Sequence, residues 1–261
     1  MLVGRETERR VIERLVAGAR IGQSGVLVVT GEPGVGKTAL LDDAARHTAD
    51  MGVLSGSGSE PERGIPFGAL HQVLRPALGH LHTIPAPQAD SLSAALLLSP
   101  GDPGDRFAIG AATLSLLCRY AEERPLAVLL DDIHLFDQPS IEALAFAARR
   151  LMADPIAVLA TSRVPEPDST HRLPRLPLSG IDLAAAAELV ARHADATPEA
   201  VARLHRATAG NPLALIELAD GGATPQSPAA PVPVPATLVR AFASRAGSLG
   251  DAGRTALTVA A

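Results

Sequence analysis

The sequence predicts an α/β fold in which helices flank a parallel sheet, and three observations support this prediction. The segment Gly25-Val-Leu-Val-Val-Thr30 is a short apolar run rich in β-branched residues, which is typical of a buried strand. A glycine-rich segment follows it, and residues 39–46 then show helical spacing. Two more buried-strand patterns, at 126–130 and 155–161, alternate with further helical segments. Strands that alternate with helices are typical of parallel sheets covered on both faces.

The composition indicates an aliphatic core and argues against general nucleic-acid binding. Of the 261 residues, 47% are hydrophobic but 2% are aromatic, so the core consists of Leu, Val, Ile and Ala. Few aromatic side chains are therefore available to stack on single-stranded nucleic acid. The net charge of −5 and the pI of about 5.9 argue against binding through phosphate neutralisation.

The sequence also predicts a soluble, cytoplasmic protein without membrane contact. Its first ten residues are charged and lack the apolar region of a secretion signal. No apolar run approaches the length that spans a membrane. The single cysteine, Cys118, lies in an apolar helical pattern, so a core thiol is favoured over a nucleophile.

The glycine-rich segment, Gly31-Glu-Pro-Gly-Val-Gly-Lys-Thr38, fits G-x-x-x-x-G-K-[ST] at every fixed position. Glycines let a backbone turn tightly and direct its N–H groups inward, and the N-terminus of the following helix favours anions. We therefore predict a P-loop NTPase core that binds ATP or ADP, rather than a plain strand-to-helix turn. Lys37 would reach the β- and γ-phosphates, and the Thr38 hydroxyl would bind Mg²⁺. The nucleotide contacts predicted in this loop are Glu32, Pro33, Gly34, Val35, Gly36, Lys37, Thr38 and Ala39.

Two further strands lead to polar side chains of the kind that act on phosphate groups. The run 126–130 ends at Asp131 and Asp132. In a parallel sheet such an end lies beside the phosphate loop, so we expect Asp131 to hold Mg²⁺ through water and Asp132 to orient or deprotonate the attacking water. The run 155–161 leads to Arg163, which is expected at the same edge, where it can touch the γ-phosphate. An exposed loop arginine is the alternative for Arg163.

The rest of the chain is expected to form helices around this core. Val53-Leu54 predicts another strand, which runs into a flexible loop at Ser55-Gly-Ser-Gly-Ser59, and an insert of helical segments spans 60–125. The last run stays apolar to its end, so the chain is interpreted as a fragment of a longer protein. The predicted division is a core at 1–178, three short helices within 179–220, a loose linker at 221–235 and a further helical segment at 236–261.

Taken together, the motifs resemble the ATPase segment of the large ATP-binding LuxR-type transcriptional regulators, which belong to the STAND branch of the AAA-like P-loop ATPases. The resemblance covers nearly the whole chain, and four of the motifs have the order and spacing that this family shows. The motifs are Val3-Gly-Arg-Glu6, Gly31 to Thr38, Phe67-Gly-Ala-Leu70, Asp131-Asp-Ile-His134, Thr161-Ser-Arg163 and Gly210-Asn-Pro-Leu-Ala-Leu215.

The resemblance implies roles beyond those derived from the residues. Gly4 and Arg5 would lie near the adenine, and Arg163 would be the sensor that reads the γ-phosphate. The three short helices would form a lid, which Pro212 would bring against the nucleotide. The last helical segment would begin a winged-helix domain. DNA would be bound through a C-terminal helix-turn-helix that these residues do not include.

Three functions are compatible with these motifs. The first is an ATP-driven switch, a weak ATPase whose nucleotide state sets lid closure and self-association. The second is an AAA-type motor or loader, which turns over in seconds or less, whereas a switch holds its nucleotide for minutes. The third is a small-molecule kinase or a GTPase. A GTPase needs a guanine signature where this chain has Thr161-Ser-Arg163, and a kinase needs a lid rich in arginine, where this chain has few. The switch is therefore favoured.

Overall fold

Five strands form a single parallel sheet in the computed structural model, which describes residues 2–102, 104–163 and 167–221. The strands are β1 (Gly25–Gly31), β2 (Gly52–Ser57), β3 (Leu126–Asp131), β4 (Ile156–Ser162) and β5 (Arg175–Leu178). Their spatial order is β2-β3-β4-β1-β5, and each neighbouring pair is parallel. This arrangement confirms the predicted α/β class.

The central strands are buried because helices cover both faces of the sheet. Every residue of β4 is buried, and β3 is buried up to Asp131. Successive side chains of a strand point to opposite faces, so Val28 of β1 lies in one apolar core while Leu27 and Val29 lie in the other. The carboxyl ends of β1, β3 and β4 consequently meet in the middle of one sheet edge.

β2 is longer than the sequence pattern predicts. The flexible loop predicted at Ser55–Ser59 was wrong for residues 55–57, because the strand continues to Ser57 and pairs with β3 along its whole length. Small residues are compatible with a strand at this position. A Cβ on Gly56 would come within 2.6 Å of Val73 Cγ2, so close packing over the strand requires glycine there.

Two groups of helices cover the sheet. The helices are α1 (Glu6–Arg20), α2 (Lys37–Arg46), α3 (Gly68–Leu74), α4 (Ala86–Ala95), α5 (Arg106–Ala121) and α6 (Gln138–Ala148). On one face, α1 and α2 pack through residues such as Val16 and Leu40. On the other face, α3 to α6 pack through residues such as Leu70 and Leu116. The predicted helical insert at 60–125 thus forms most of the second layer. Over the described ranges, no helix has the length and apolarity needed to cross a membrane.

Three short helices follow the sheet, as the sequence predicts, and we call them the lid. They are α7 (Leu183–Ala191), α8 (Pro198–Thr208) and α9 (Pro212–Asp220). Side-chain oxygens of Asp182, Thr197 and Asn211 accept a backbone hydrogen bond at their respective N-termini, which is the usual way to satisfy the first turn. The lid has an apolar core of its own, built around residues such as Leu204 and Leu215.

The N-terminal segment also takes part in the lid. Val3 is buried in the apolar core of the lid, whereas α1, which starts three residues later, packs on the sheet. The predicted division after residue 178 stays a prediction, and residues 2–5 bridge its two sides. Apart from Gly221, the predicted linker at 221–235 and the helical segment at 236–261 lie outside the described residues.

Asp137 joins two helix N-termini beside the sheet. Its carboxyl oxygens accept hydrogen bonds from Ser140 N (3.0 Å) and Ser140 Oγ (2.6 Å) at the start of α6. They also accept from Phe67 N (2.8 Å) and Ala69 N (3.1 Å) at the start of α3. Phe67 has a left-handed φ of 60°, which is strained for a bulky residue. Asp137 therefore fixes the insert to the segment that follows Asp132.

We predict that Asp137→Ala lowers the free energy of unfolding by about 3–5 kcal/mol, because it removes two caps and leaves one buried and two partly buried N–H groups without an acceptor. Urea denaturation of the purified protein measures this change. Asp105→Ala is the matched control, since Asp105 caps α5 alone, through a single bond from Ala108 N. The control variant should lose about 1 kcal/mol. Equal losses in the two variants would contradict the two-helix role of Asp137.

Candidate functional site

The glycine-rich loop connects β1 to α2 in the middle of the sheet edge. Gly34 and Gly36 have left-handed φ values of +78° and +101°, which residues with a Cβ rarely adopt. The backbone turns tightly at these two glycines, and α2 starts directly afterwards at Lys37. Backbone N–H groups of such a loop, together with a helix N-terminus, can surround an anion. The predicted phosphate loop thus has the backbone shape that the prediction requires.

Lys37 lies inside this loop. It is 6% exposed, and its Nζ donates hydrogen bonds to the carbonyl oxygens of Gly31 (2.9 Å) and Glu32 (3.0 Å). Burial lowers the pKa of Lys37, which the Asp132 carboxylate opposes and the positive charge of Arg163 reinforces. Among the 23 lysine and arginine residues of the chain, Lys37 is the one lysine. A side-chain amine is therefore held at the place where phosphate groups would enter the loop.

Asp131 reaches Thr38 across an intervening strand. Thr38 Oγ1 donates a hydrogen bond to the Asp131 carboxylate at 3.0 Å, although β4 lies between β1 and β3. Thr161 of β4 fills the gap, because its Oγ1 donates to Asp131 at 2.5 Å and accepts from Asp132 N–H at 2.8 Å. The Asp131 carboxylate therefore lies beside the loop, as the strand pattern predicts, although β4 separates β3 from β1. Thr161 orients the Asp131 side chain and the Asp132 backbone from the strand between them.

Thr38 and Asp131 together fit a magnesium ion. Their hydroxyl and carboxylate are the oxygen donors that Mg²⁺ prefers, and Mg²⁺ keeps several waters, so it needs few protein ligands. No group of three or more His, Cys, Asp or Glu side chains with metal-binding geometry occurs within residues 2–102, 104–163 and 167–221. A site built from two protein ligands and a nucleotide is compatible with this finding. Magnesium binding by Thr38 and Asp131 stays a prediction.

Asp132, His134 and Arg163 come together at the same sheet edge. His134 Nδ1 lies 3.7 Å from the Asp132 carboxylate and accepts a hydrogen bond of 3.4 Å from Arg163 N–H. Burial lowers the pKa of His134, and the positive charges of Arg163 and Lys37 lower it further against the effect of Asp132. Arg163 follows the end of β4 and so lies at the same sheet edge as Asp131, as expected, while the catalytic roles of Asp132 and Arg163 stay predictions.

The lid touches the phosphate loop through the two neighbours of Pro212. Asn211 Nδ2 donates a hydrogen bond to the Pro33 carbonyl at 2.8 Å. Leu213 N–H donates to the Gly34 carbonyl at 3.2 Å. Pro212 itself starts α9 and has no N–H to donate. Contact between Pro212 and a nucleotide stays a prediction, but the lid helix does begin on the loop.

Arg5 is a buried cation between the loop and the lid. It is 4% exposed, and its Nη2 donates hydrogen bonds to the carbonyls of Val35 (2.9 Å) and Ser179 (2.6 Å). Its Nη1 donates to the Glu8 carboxylate at 3.2 Å. Ser179 directly follows β5, on the segment that enters the lid. Gly4 precedes Arg5 with a φ of +66° and lies so close to α7 that a Cβ would collide with it. The predicted contact of Gly4 and Arg5 with adenine stays a prediction.

Sequence reasoning gave no role to several residues that build this site. Thr161 had a usable signal, since it is a hydroxyl residue near the end of a strand that leads to Arg163. Asn211 before a proline is typical of a helix cap, and Asn211 is indeed the cap of α9, so the contact of its Nδ2 with Pro33 could not be recognised. Ser179 and Leu213 act through backbone atoms, which every residue carries, and no side-chain signal exists for them.

Cys118 is a half-buried thiol at the margin of the apolar core, close to the core position that its helical pattern predicts. It packs against the apolar core under α3 to α6. Burial raises the pKa of Cys118 to about 12, so the thiol stays protonated at neutral pH. Only the thiolate is a nucleophile, so a thiol that stays protonated argues against nucleophilic catalysis by Cys118.

Comparisons with known proteins agree with this geometry. The family model described as AAA ATPase domain matches residues 1–159, which include the phosphate loop, Asp131 and Asp132. The Walker-type ATPase of Pyrococcus abyssi has a similar structure, with a TM-score of 0.54 and 14% identity over 94% of this chain and 72% of that chain. A Signal Transduction ATPase with Numerous Domains (STAND) protein with a tetratricopeptide repeat sensor, from Pyrococcus horikoshii, gives a TM-score of 0.51 and 19% identity.

The likeness to the STAND protein covers 92% of this chain but 32% of that protein, so this chain spans about a third of its length. At such low identity, both solved structures show that the fold is shared. No curated protein matches the chain.

We predict that Lys37→Ala weakens ATP binding by about a hundredfold or more, because charge-assisted hydrogen bonds to phosphate are lost from a desolvated site. Isothermal titration calorimetry with ATP and Mg²⁺ measures the dissociation constant. Arg20→Ala removes an exposed cation that is paired with Asp50, and it should leave the dissociation constant unchanged. An unaltered affinity in Lys37→Ala would contradict the assignment of the phosphate loop.

We predict that Asp132→Asn binds ATP as the parent does but hydrolyses it about a hundredfold more slowly, because an amide cannot accept the proton of the attacking water. A single-turnover assay separates hydrolysis from binding and product release. Asp42→Asn removes an exposed carboxylate from α2 and should keep the parent rate. If Asp132→Asn also keeps the parent rate, Asp132 is not the base.

Proposed function

This chain belongs to the AAA ATPase domain family, and on that premise we propose that it is the ATP-driven switch of a signal-responsive transcriptional regulator of the large ATP-binding LuxR type. In this proposal the chain binds ATP, hydrolyses it slowly, and uses the nucleotide state to set the position of the lid. The sequence motifs that resemble those regulators support the regulatory role. The family match and the phosphate-loop geometry support nucleotide binding.

One observation carries the switch proposal: the Arg5 guanidinium joins the phosphate loop to the segment that enters the lid. It donates a buried hydrogen bond to the Val35 carbonyl of the loop and a partly buried one to the Ser179 carbonyl. If the two carbonyls move apart, the Arg5 guanidinium can keep its hydrogen bond to only one of them. The hydrogen bond to the other carbonyl is then lost, which costs free energy. Movement of the lid segment therefore has an energetic consequence at the loop. Because coupling is reciprocal, a nucleotide that changes the loop biases the lid by the same free energy.

The polar side chains at the sheet edge have separate tasks in this proposal. Lys37 binds the β- and γ-phosphates, while Thr38 and Asp131 hold Mg²⁺. Asp132 accepts the proton of the attacking water, and Arg163 senses the γ-phosphate. Bound ATP with Mg²⁺ supplies the transferable phosphoryl group and neutralises part of its charge. Slow hydrolysis suits a switch, because the ATP-bound state must persist long enough to be read.

Self-association and DNA binding complete the proposed function. Closure of the lid in one nucleotide state would expose or cover a surface through which copies of the protein associate. The net charge of −5 disfavours direct contact between this segment and DNA phosphates, so DNA would be bound by a C-terminal domain that follows it.

We predict that the purified protein retains ADP or ATP and turns over no faster than about once per minute, a rate typical of nucleotide switches rather than of motors. Chromatography of the acid extract identifies the retained nucleotide, and a steady-state phosphate-release assay gives the turnover. Lys37→Ala is the control for contaminating ATPases. A turnover of about one per second or faster would contradict the switch and support the motor or loader instead.

A further inference from the structure

Three different segments of the chain donate hydrogen bonds to the carbonyl groups of the phosphate loop. Its successive carbonyl groups each accept a hydrogen bond, and the donors come from inside the loop, from the N-terminal segment and from the lid. The pairs are Lys37 Nζ to Gly31 and Glu32, Asn211 Nδ2 to Pro33, Leu213 N to Gly34, and Arg5 Nη2 to Val35. The lid thus supplies the donors for two neighbouring carbonyls in the middle of the loop.

The carbonyl that Asn211 holds shares a peptide unit with the N–H of Gly34. A peptide unit is planar and trans, so the N–H points away from its carbonyl. When Asn211 holds the Pro33 carbonyl, the Gly34 N–H is directed to the face of the loop opposite the lid. Inward-pointing N–H groups of this kind are what a phosphate loop offers to its ligand.

Gly34 makes this orientation depend on the lid. Without a Cβ, its φ and ψ angles are less restricted than those of other residues, so the peptide unit before it can rotate. The absence of a Cβ also lets the lid approach, because a Cβ on Gly34 would lie 2.9 Å from both Asn211 Oδ1 and Leu213 Cβ. The lid therefore packs on an adaptable position of the loop and supplies the hydrogen bond that selects one orientation.

We propose that Asn211 is a positioning residue for nucleotide binding, which holds the Gly34 N–H towards the phosphates while the lid is docked. The lid then communicates with the nucleotide through the backbone of the loop, without contact between Asn211 and the nucleotide. Undocking of the lid releases the peptide unit and weakens phosphate binding. Bound nucleotide in turn favours the docked lid. This inference rests on the proposed function for its biological meaning, but it concerns a contact that can be tested separately.

Asn211 allows a sharp test because its two amide atoms have different partners. Oδ1 accepts from Ala214 N at 3.3 Å and caps α9, whereas Nδ2 donates to the Pro33 carbonyl. Asn211→Asp keeps a good cap but turns an acceptor oxygen towards that carbonyl. Asn211→Ser also keeps a good cap, and its short side chain does not reach Pro33. Thr197→Ala is the matched control, because Thr197 caps α8 in the same way through Ala200 N.

The experiment measures the release of a fluorescent ADP analogue by stopped flow, together with the melting temperature of each variant. We expect release to be about tenfold faster in Asn211→Asp and about fivefold faster in Asn211→Ser, the effect of one lost hydrogen bond with and without repulsion. Their melting temperatures should fall by no more than that of Thr197→Ala, because the cap is kept and one hydrogen bond is lost. Thr197→Ala should melt at a lower temperature but release ADP at the parent rate.

Two outcomes would overturn the inference. In the first, both Asn211 variants release the analogue at the parent rate. In the second, Thr197→Ala accelerates release as much as they do, which would mean that general loosening of the lid is sufficient. The turnover of the parent protein tests the switch separately. A parent that turns over rapidly refutes the switch, even if the Asn211 variants still release ADP faster.

Discussion

The phosphate loop follows β1, where the backbone no longer pairs with a neighbouring strand. Its carbonyl groups therefore need hydrogen-bond donors from elsewhere in the chain. In this chain the donors are Lys37 from within the loop, Arg5 from the N-terminal segment, and Asn211 and Leu213 from the lid. Hydrogen bonds to these carbonyl groups therefore bring together Arg5 and Asn211, which lie more than two hundred residues apart in the sequence. The N-terminal segment and the lid are thus both hydrogen-bonded to the loop, and Val3 also packs in the apolar core of the lid.

The strand order determines how the acidic residues meet this loop. β4 separates β3 from β1, so Asp131 and Thr38 lie on either side of an intervening strand. Thr161 of that strand donates a hydrogen bond to the Asp131 carboxylate and orients it towards Thr38. The same hydroxyl accepts a hydrogen bond from the Asp132 N–H. Asp132 has a left-handed φ of 48°, and the chain turns out of the sheet at this residue. The Thr161 side chain thus orients both Asp131 and Asp132. Arg163 follows the end of the same strand.

The sequence predicts the parts of this structure that repeat a physical pattern. Buried strands, helix spacing and the constraints on glycine and lysine in a phosphate loop are visible in residues 25–46, and they determine the fold class and most of the candidate site. The lid contacts are not visible, because Leu213 and Ser179 act through backbone atoms and Asn211 has the ordinary signature of a cap. The length of β2 was underestimated because its serines and glycines carry no strand preference. Its pairing with β3 becomes apparent only in the structure.

Lys37 gives the chain a chemical property that its geometry alone does not reveal. It is the single lysine in the sequence, so acetylating agents and other amine-directed reagents find one side-chain target here, since guanidinium groups remain protonated and do not compete. That target is 6% exposed and hydrogen-bonded to two carbonyls of its own loop. An amine held in this way is modified when the loop opens. The rate at which such a reagent labels this side chain thus reports the opening of the loop directly, without an introduced probe.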